Sequence, residues 1–318
     1  SLVANYDLLQ LDQRPIRGTY LIICPNSQQV IDQLQPLVHW KNRKGYPVVL
    51  ATTAETGSSS SSILNYIRNA YQTWERPPEF VCLVGDADGS IAIPSGGGQY
   101  DHYYSMMDYD ILADVLVGRL SVSDIATLQN VVNKIMRYEK EPYLGTTDWY
   151  RRGMVVAGSS ISGTSTIHTK RSIRWRMMQH GYAQVDTMWY NMGGSIVTAI
   201  ANGINQGITM FNYRGYLGMS GWSNSNTNNL HNGYMLPMVV TLTCGTGTFT
   251  SGTSLTEGFL RAGSVSTPKG AIAAIGTATY GTHTRYNNCM DVGTFAGFFD
   301  EGYAHAIGAQ LPQQRHSH

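Results

Sequence analysis

The sequence predicts an α/β protein, a sandwich of mostly parallel sheets flanked by helices, and three observations predict it. Short apolar, β-branched runs alternate with longer segments of helical periodicity, the pattern of repeated strand–helix–strand units. A chain of 318 residues with 42% hydrophobic content holds enough apolar material for one large core or two smaller ones. The Pro-, Gly- and Thr-bearing stretch EKEPYLGTTDWYRRG at 139–153 interrupts the alternation near mid-chain. It divides the protein into subdomains 1–145 and 146–318.

Taken in chain order, YLIIC at 20–24 is the first strand, and a helix follows at 30–42. PVVLAT at 47–52 is the second strand. The polar run TGSSSSS at 56–62 leads straight into a helix at 60–74 and reads as its capping region. That helix places Ile63, Tyr66, Ile67 and Tyr71 on one face at helical spacing. FVCLV at 80–84 is a third strand, and a helix is predicted at 125–138. Past the boundary come a strand at 153–157, helices at 168–180 and 195–206, strands at 208–213 and 239–244, a helix at 255–262 and a strand at 271–277. No internal repeat is visible, and the closing LPQQRHSH reads as a frayed tail.

Composition excludes several classes of function. A formal net charge of +1 leaves no basic stripe for nucleic-acid phosphates. No run approaches the roughly 18 apolar residues of a membrane span. Charged residues make up 14%, while Gly (34) and Tyr (20) are frequent, a balance that suits polar uncharged loops and often a secreted protein. The start at Ser1, without Met or an apolar signal segment, reads as a processed or excised fragment. Of the four cysteines, Cys24 and Cys82 lie in apolar runs and read as core residues. With no CxxC pair, neither a zinc motif nor a disulfide scaffold is expected. The Gly- and Ser-rich stretches at 95–100 and 158–166 lack P-loop spacing, and the basic KRSIRWRMMQH reads as a solvated helix face.

In open parallel sheets, ligands sit beyond the carboxyl ends of the strands. Three such ends carry chemistry: 208–213 runs into RGYLG, 239–243 into CGTGTF, and 271–277 into ATYGTHTRYNN. A cysteine at a strand end followed by Gly-Thr-Gly has the geometry of a nucleophile, because small residues let backbone N–H groups approach an oxyanion. The alternative is a buried Cys244 that merely ends a core strand. His283, just past the neighbouring strand end, is favoured as a base over His168, which begins a helix, and His231, which lies in a loop. Asp86 and Asp88 in GDADG, with Asp108, Asp110 and Asp114 in MMDYDILAD, suit a hard cation held by oxygen ligands. They read equally as a solvated acidic turn.

Across about 19–300 the chain resembles the gingipain-type cysteine peptidases of the caspase-like clan. FVCLVGDADGSIAIP, DILADVLVGRLSV, NYRGYLGMSGW, LPMVVTLTCGTGTF and LTEGFLRAG carry the resemblance by their order and spacing. It implies a caspase-like sandwich and a peptide or protein substrate. It also implies Cys244 as nucleophile, with the backbone N–H groups of Cys244 and Leu217 as the oxyanion hole. The family's basic His falls on Tyr216, a poor base because tyrosine titrates near pH 10. A supporting acid falls near Ser160, and the Asp that selects Arg in Arg-specific members falls on Thr166. His283 matches a position where an aromatic side chain borders the substrate pocket. Structural calcium is implied at Asp86, Asp110 and Asp114 with backbone oxygens of Met107 and Leu112, and again at Phe249 (backbone), Glu257 and Asp291. A secreted or cell-surface location is implied as well.

Two functions follow. One is a secreted cysteine endopeptidase using Cys244 with a rearranged base, His283 standing in for the displaced His or Tyr216 acting as orienter or oxyanion donor. The other is a catalytically inactive pseudo-peptidase that keeps the cleft as a peptide- or surface-binding module. Arg- or Lys-specific cleavage is not expected from either.

Overall fold

Two parallel sheets organise the molecule, and their central strands are buried on both faces, which is why those strands read as continuous apolar runs. The computed structural model describes residues 17–98, 100–108 and 110–299. The beginning of the first expected subdomain, the end of the second with its LPQQRHSH tail, and the last residue of the resemblance lie outside these. The first sheet has the order β2-β1-β3-β4, from β1 (Thr19–Cys24), β2 (Val48–Thr52), β3 (Pro78–Val84) and β4 (Leu116–Leu120). Strand alternation sorts its side chains. Ile22, Cys24, Cys82 and Val84 pack on α1 (Gln28–Arg43) and, later in the chain, α4 (Ile125–Lys140). Leu21, Ile23, Val81 and Leu83 pack on the other side against Ile63 and Ile67 of α3 (Ser60–Thr73), which follows the short α2 (Thr53–Thr56). Burial drives the Cys24 thiol up to about 12 and Cys82 up to about 11, the behaviour of inert core cysteines.

The second sheet has the order β6-β5-β7-β8-β9, from β5 (Arg152–Ala157), β6 (Gln184–Trp189), β7 (Met210–Arg214), β8 (Met238–Thr241) and β9 (Ala273–Gly276). Met154, Val156, Phe211, Tyr213 and Val239 face α6 (Ile196–Asn205) and α8 (Leu255–Arg261), with the short α7 (Asn224–Asn228) nearby. Val155, Val240 and Leu242 face α5 (Ser165–Gln179) and α9 (Thr284–Phe299). Two of the differences from expectation have physical causes. β6 is an edge strand whose QVDTMW sequence buries only Val185 and Met188, so it lacks an apolar run. α9, TRYNNCMDVGTFAGFF, carries two glycines and two asparagines, and packing against α5 rather than propensity holds it. The strand expected to reach residue 244 ends at Thr241.

The two halves are joined by polar contacts. Arg261 of α8 reaches Asp86 after β3 (2.6 Å) and Glu257 (2.6 Å), and Ser121 donates to Glu257 (2.5 Å). Lys134 of α4 is fully buried, has no carboxylate partner among the described residues and donates to the carbonyls of Leu260, Ala262 and Lys269 (2.5, 3.3 and 3.1 Å). Burial pushes its pKa down to about 7. Below that value folded and unfolded chains both hold the proton, and the cost of a buried charge is felt in full. Above it only the unfolded chain does, so stability rises with pH by up to about 1.4 kcal/mol per unit. Denaturant titrations between about pH 7 and 8.5, below thiol ionisation, are expected to show wild type gaining stability relative to Lys134→Met. Parallel slopes would mean that Lys134 stays charged.

Candidate active site

The C-terminal ends of β7 and β8 converge on Cys244. Along β7, Phe211 and Tyr213 point to the α6–α8 layer, which sends Asn212 and Arg214 to the α5–α9 layer. Past the strand, Tyr213 Oη donates to Ser220 Oγ (3.0 Å) and accepts from Ser220 N (2.7 Å), folding residues 215–220 back over the strand end. A side chain at Gly215 would strike the Tyr213 ring, so the loop can lie flat only with glycine there.

The chain after β8 runs beside that loop. Thr243 Oγ1 accepts from Gly215 N (2.9 Å), Gly218 N donates to Cys244 O (3.0 Å), and Leu217 pairs with Cys244 as a parallel bridge. Cys244 therefore sits at the side of a two-strand crossing, three residues beyond β8. Gly245 follows with φ 74°, a left-handed turn suited to glycine, and the Tyr280 ring lies where its side chain would be. The sulfur is nearly enclosed, with the residue 5% exposed. Its neighbours come from the start of α9: Thr282 O at 3.8 Å and Asn287 Nδ2 at 3.9 Å. Asn287 Oδ1 is buried and has no hydrogen-bond partner among the described residues. Tyr216 and Leu217, which pairs with Cys244, are exposed, as are Tyr280, beside Gly245, and Tyr286 on α9.

Behind the cysteine lies a buried polar network that sequence reasoning missed. Lys170 of α5 pairs with Asp291 of α9, both fully buried, and also donates to Asn212. Asn212 Nδ2 donates to Asp291 Oδ1 (2.8 Å) and to Val240 O (3.1 Å). Arg214, also buried, donates through Nε to Asn288 Oδ1 (3.1 Å) and through Nη1 to Gly215 O. Burial lowers the Lys170 pKa to about 8 against the opposing pull of Asp291. Burial lowers that of Arg214 as well, opposed chiefly by Asp291. Lys170, read from the sequence as part of a solvated basic face, is thus a core residue. The available signal was the alternation Asn212, Arg214 on β7 and the four-residue spacing of Asn287 and Asp291 on α9.

The other expected residues are scattered. His283 is exposed at the start of α9, where its carbonyl accepts from Tyr286 N (3.0 Å) and its Nδ1 from Arg285 N (3.2 Å). Among the described residues no hydrogen bond joins it to Cys244. His168 and His231 are exposed elsewhere on α5 and before β8. Ser160 is exposed in the loop after β5, whereas Thr166 is fully buried and donates to Gly163 O (2.9 Å).

The carboxylates expected on calcium are engaged within the protein. Asp86 and Glu257, assigned to different ions, share Arg261, and Asp291 is held by Lys170 and Asn212. The set Phe249, Glu257 and Asp291 therefore does not fit a calcium ion: each acid already faces a cation. Phe249 lies under the Arg119 guanidinium, 5.0 Å from the ring centre. On the loop 107–114, Asp114 Oδ2 accepts from Met107 N (2.7 Å) and Asp110 Oδ1 from Leu112 N (2.7 Å). Among the described residues no three His, Cys, Asp or Glu side chains gather as a metal site, and no helix is long and apolar enough to cross a membrane.

Comparison with known proteins agrees with this architecture. The family model described as "Peptidase family C25" matches residues 14–317. Lys-gingipain W83 of Porphyromonas gingivalis is 27% identical over 60% of the chain and 11% of its own length. Gingipain R2 of the same organism is 24% identical over 86% of the chain and 39% of its own length. The chain thus spans well under half of either relative. Among solved structures, the complex of RgpB pro- and mature domains from Porphyromonas gingivalis superposes with a TM-score of 0.83 at 20% identity, over 92% of this chain and 72% of that one. The fold is that caspase-like sandwich.

Proposed function

The chain belongs to peptidase family C25, and from that membership we propose that it is a secreted cysteine endopeptidase that opens peptide bonds with Cys244. The observation that carries this reading is the crossing of Leu217 and Cys244, which sets a nearly enclosed thiol beside two strand-end backbones. The sulfur attacks the scissile carbonyl carbon, and the oxygen's negative charge is received by the N–H groups of Cys244 and Leu217. Collapse expels the amine, which takes up a proton, and water then releases the acyl group from sulfur. Residue 216 does not serve as base, since a phenol keeps its proton at neutral pH and can only donate. With Nδ1 of His283 accepting from Arg285 N, the neutral ring carries its proton on Nε2 and is likewise a donor. The proton that the thiol releases to water as the sulfur attacks is the one the departing amine takes up, and we assign His283 and Tyr216 only to donating hydrogen bonds toward the oxyanion. Secretion is supported by the family and by the sparse charge.

A specific observation favours the second reading, a peptide-binding module without turnover. Tyr216 and Leu217 on the loop after β7, Tyr280 after β9 and Tyr286 on α9 expose large side chains of the kind a binding surface uses. Incubation of the protein with an unfolded protein substrate, with Cys244→Ala alongside, separates the readings. Cleavage by wild type and none by the variant supports the peptidase. Binding of peptides without cleavage by either supports the module.

Calcium is proposed for the loop 107–114 alone, held by Asp110, Asp114 and the carbonyls of Met107 and Leu112. Added calcium is expected to raise Tm by a few degrees, about 1–2 kcal/mol of linkage, and Asp110→Asn with Asp114→Asn to remove the gain. An unchanged Tm in wild type rejects the site.

A further inference from the structure

The loop that crosses Cys244 is exposed in its middle and held at its ends. Tyr216 and Leu217 are exposed, and Gly215 and Gly218 on either side give the backbone more freedom than any other residue would. A surface segment of that kind moves unless its backbone groups are held. The N–H groups of Tyr216 and Leu217 have no hydrogen-bond partner among the described residues. Their position therefore depends on what grips the residues beside them.

That grip falls on Gly215, from two sides. Its N–H donates to Thr243 Oγ1 (2.9 Å), and its carbonyl accepts from Ser162 Oγ (2.7 Å) and from Arg214 Nη1. Both hydroxyls are buried. Ser162 ends the turn Ser160–Ser162 after β5, and Thr243 lies after β8, one residue before Cys244. In the sheet β5 and β8 flank β7, so three adjacent strand ends are tied together at Gly215. The turn that carries the cysteine meets the loop a second time where Gly218 N donates to Cys244 O (3.0 Å). Tyr216 and Leu217 are the two residues between these ties. Peptide planarity carries the grip forward: the Gly215 carbonyl and the Tyr216 N–H point opposite ways in one plane, so a carbonyl held toward Ser162 turns that N–H away from it.

We propose that Ser162 and Thr243 are positioning residues of the active site, clamping Gly215 from the two neighbouring strand ends and so fixing the Tyr216–Leu217 backbone against Cys244. Neither touches the reacting atoms. The kinetic consequence rests on the peptidase reading: a displaced oxyanion donor slows acyl transfer without loosening the substrate.

The test uses the full chain with Ser162→Ala, Thr243→Val and Thr243→Ser. Valine keeps the shape of threonine and removes the accepting oxygen, whereas serine keeps the oxygen. Amide hydrogen exchange across 214–220, read by mass spectrometry, is expected to speed up about tenfold or more in Thr243→Val, where a buried N–H loses its acceptor. The rise is smaller in Ser162→Ala, because Arg214 still reaches the carbonyl. On an unfolded protein substrate kcat falls about tenfold or more in Thr243→Val and about threefold or more in Ser162→Ala, with KM within about twofold of wild type. Thr243→Ser recovers most of the loss in both measurements. Alkylation of Cys244 by iodoacetamide forms no oxyanion and stays within about twofold of wild type in all three. Wild-type exchange in Thr243→Val overturns the clamp. An unchanged kcat in a loosened loop, a change confined to KM, or alkylation that falls as far as kcat overturns the positioning role. Should Thr243→Val not fold, Ser162→Ala decides by the same readouts. A wild type that cleaves nothing, with a loop that loosens in both variants, keeps the clamp and sinks the peptidase reading, whereas cleavage indifferent to both variants does the reverse.

Discussion

Cys244→Ala is expected to abolish peptide hydrolysis, a loss of at least about a thousandfold or 4 kcal/mol of transition-state stabilisation, while the protein stays folded. The loss follows from position. No other cysteine offers a substitute nucleophile: Cys24 and Cys82 are in the core with raised pKa values, and Cys289 is on α9, an exposed helix position without strand-end backbone around it. The fold survives because the sulfur's nearest polar neighbours, Thr282 O and Asn287 Nδ2, are at 3.8 and 3.9 Å. Long contacts of that kind hold little. Cys244→Ser should behave like alanine in turnover, since a hydroxyl in the same place stays protonated at neutral pH, and should match wild type in peptide binding. Wild-type rates in either variant, measured on an unfolded protein substrate, would place the chemistry elsewhere and sink the cysteine mechanism.

The residues that could be read in advance are those whose neighbours are close in sequence. YLIIC, FVCLV and GMVVA announce strands because both faces of each sheet are covered, so no polar residue interrupts them. The strand-end glycines beside Cys244 also announce a turn, although β8 stops at Thr241 and the cysteine belongs to the turn rather than to the ladder. Charges on separate elements were not legible. Lys170 and Asp291 meet across 121 residues, and Asp86 meets Arg261 across 175. Read singly, Lys170 belongs to a run of basic helix residues, and Asp86 and Glu257 to two different calcium ions. Tertiary contact joins the two acids on one guanidinium. α9 was illegible for a different reason: its sequence favours a loop, and its burial against α5 makes it a helix.

Asp291→Asn is expected to be the most destabilising single change in the molecule, by about 3–5 kcal/mol, or a fall in Tm of roughly 10 °C at this chain length. The substitution preserves shape and removes charge. It leaves Lys170 and Arg214 buried at 0% and 1% exposure with no carboxylate between them. Lys170 can answer by giving up its proton, since burial already brings its pKa down to about 8 with Asp291 opposing the shift. The sign of the pH dependence follows. With the carboxylate gone the folded-state pKa drops further below the unfolded value of about 10.4. Stability of the variant then begins to rise at a lower pH than in wild type, and the deficit shrinks as alkali removes the charge. Pairing the change with Lys170→Met removes one of the two stranded cations, so the double variant should be more stable than Asp291→Asn alone. Chelator separates this account from a calcium role for the same residue. An ion pair predicts that the loss of Tm is the same with and without EDTA. A metal ligand predicts that EDTA destabilises wild type until it matches the variant. A Tm within about 2 °C of wild type, roughly 1 kcal/mol or less, would show that Asp291 does not anchor the cations behind Cys244.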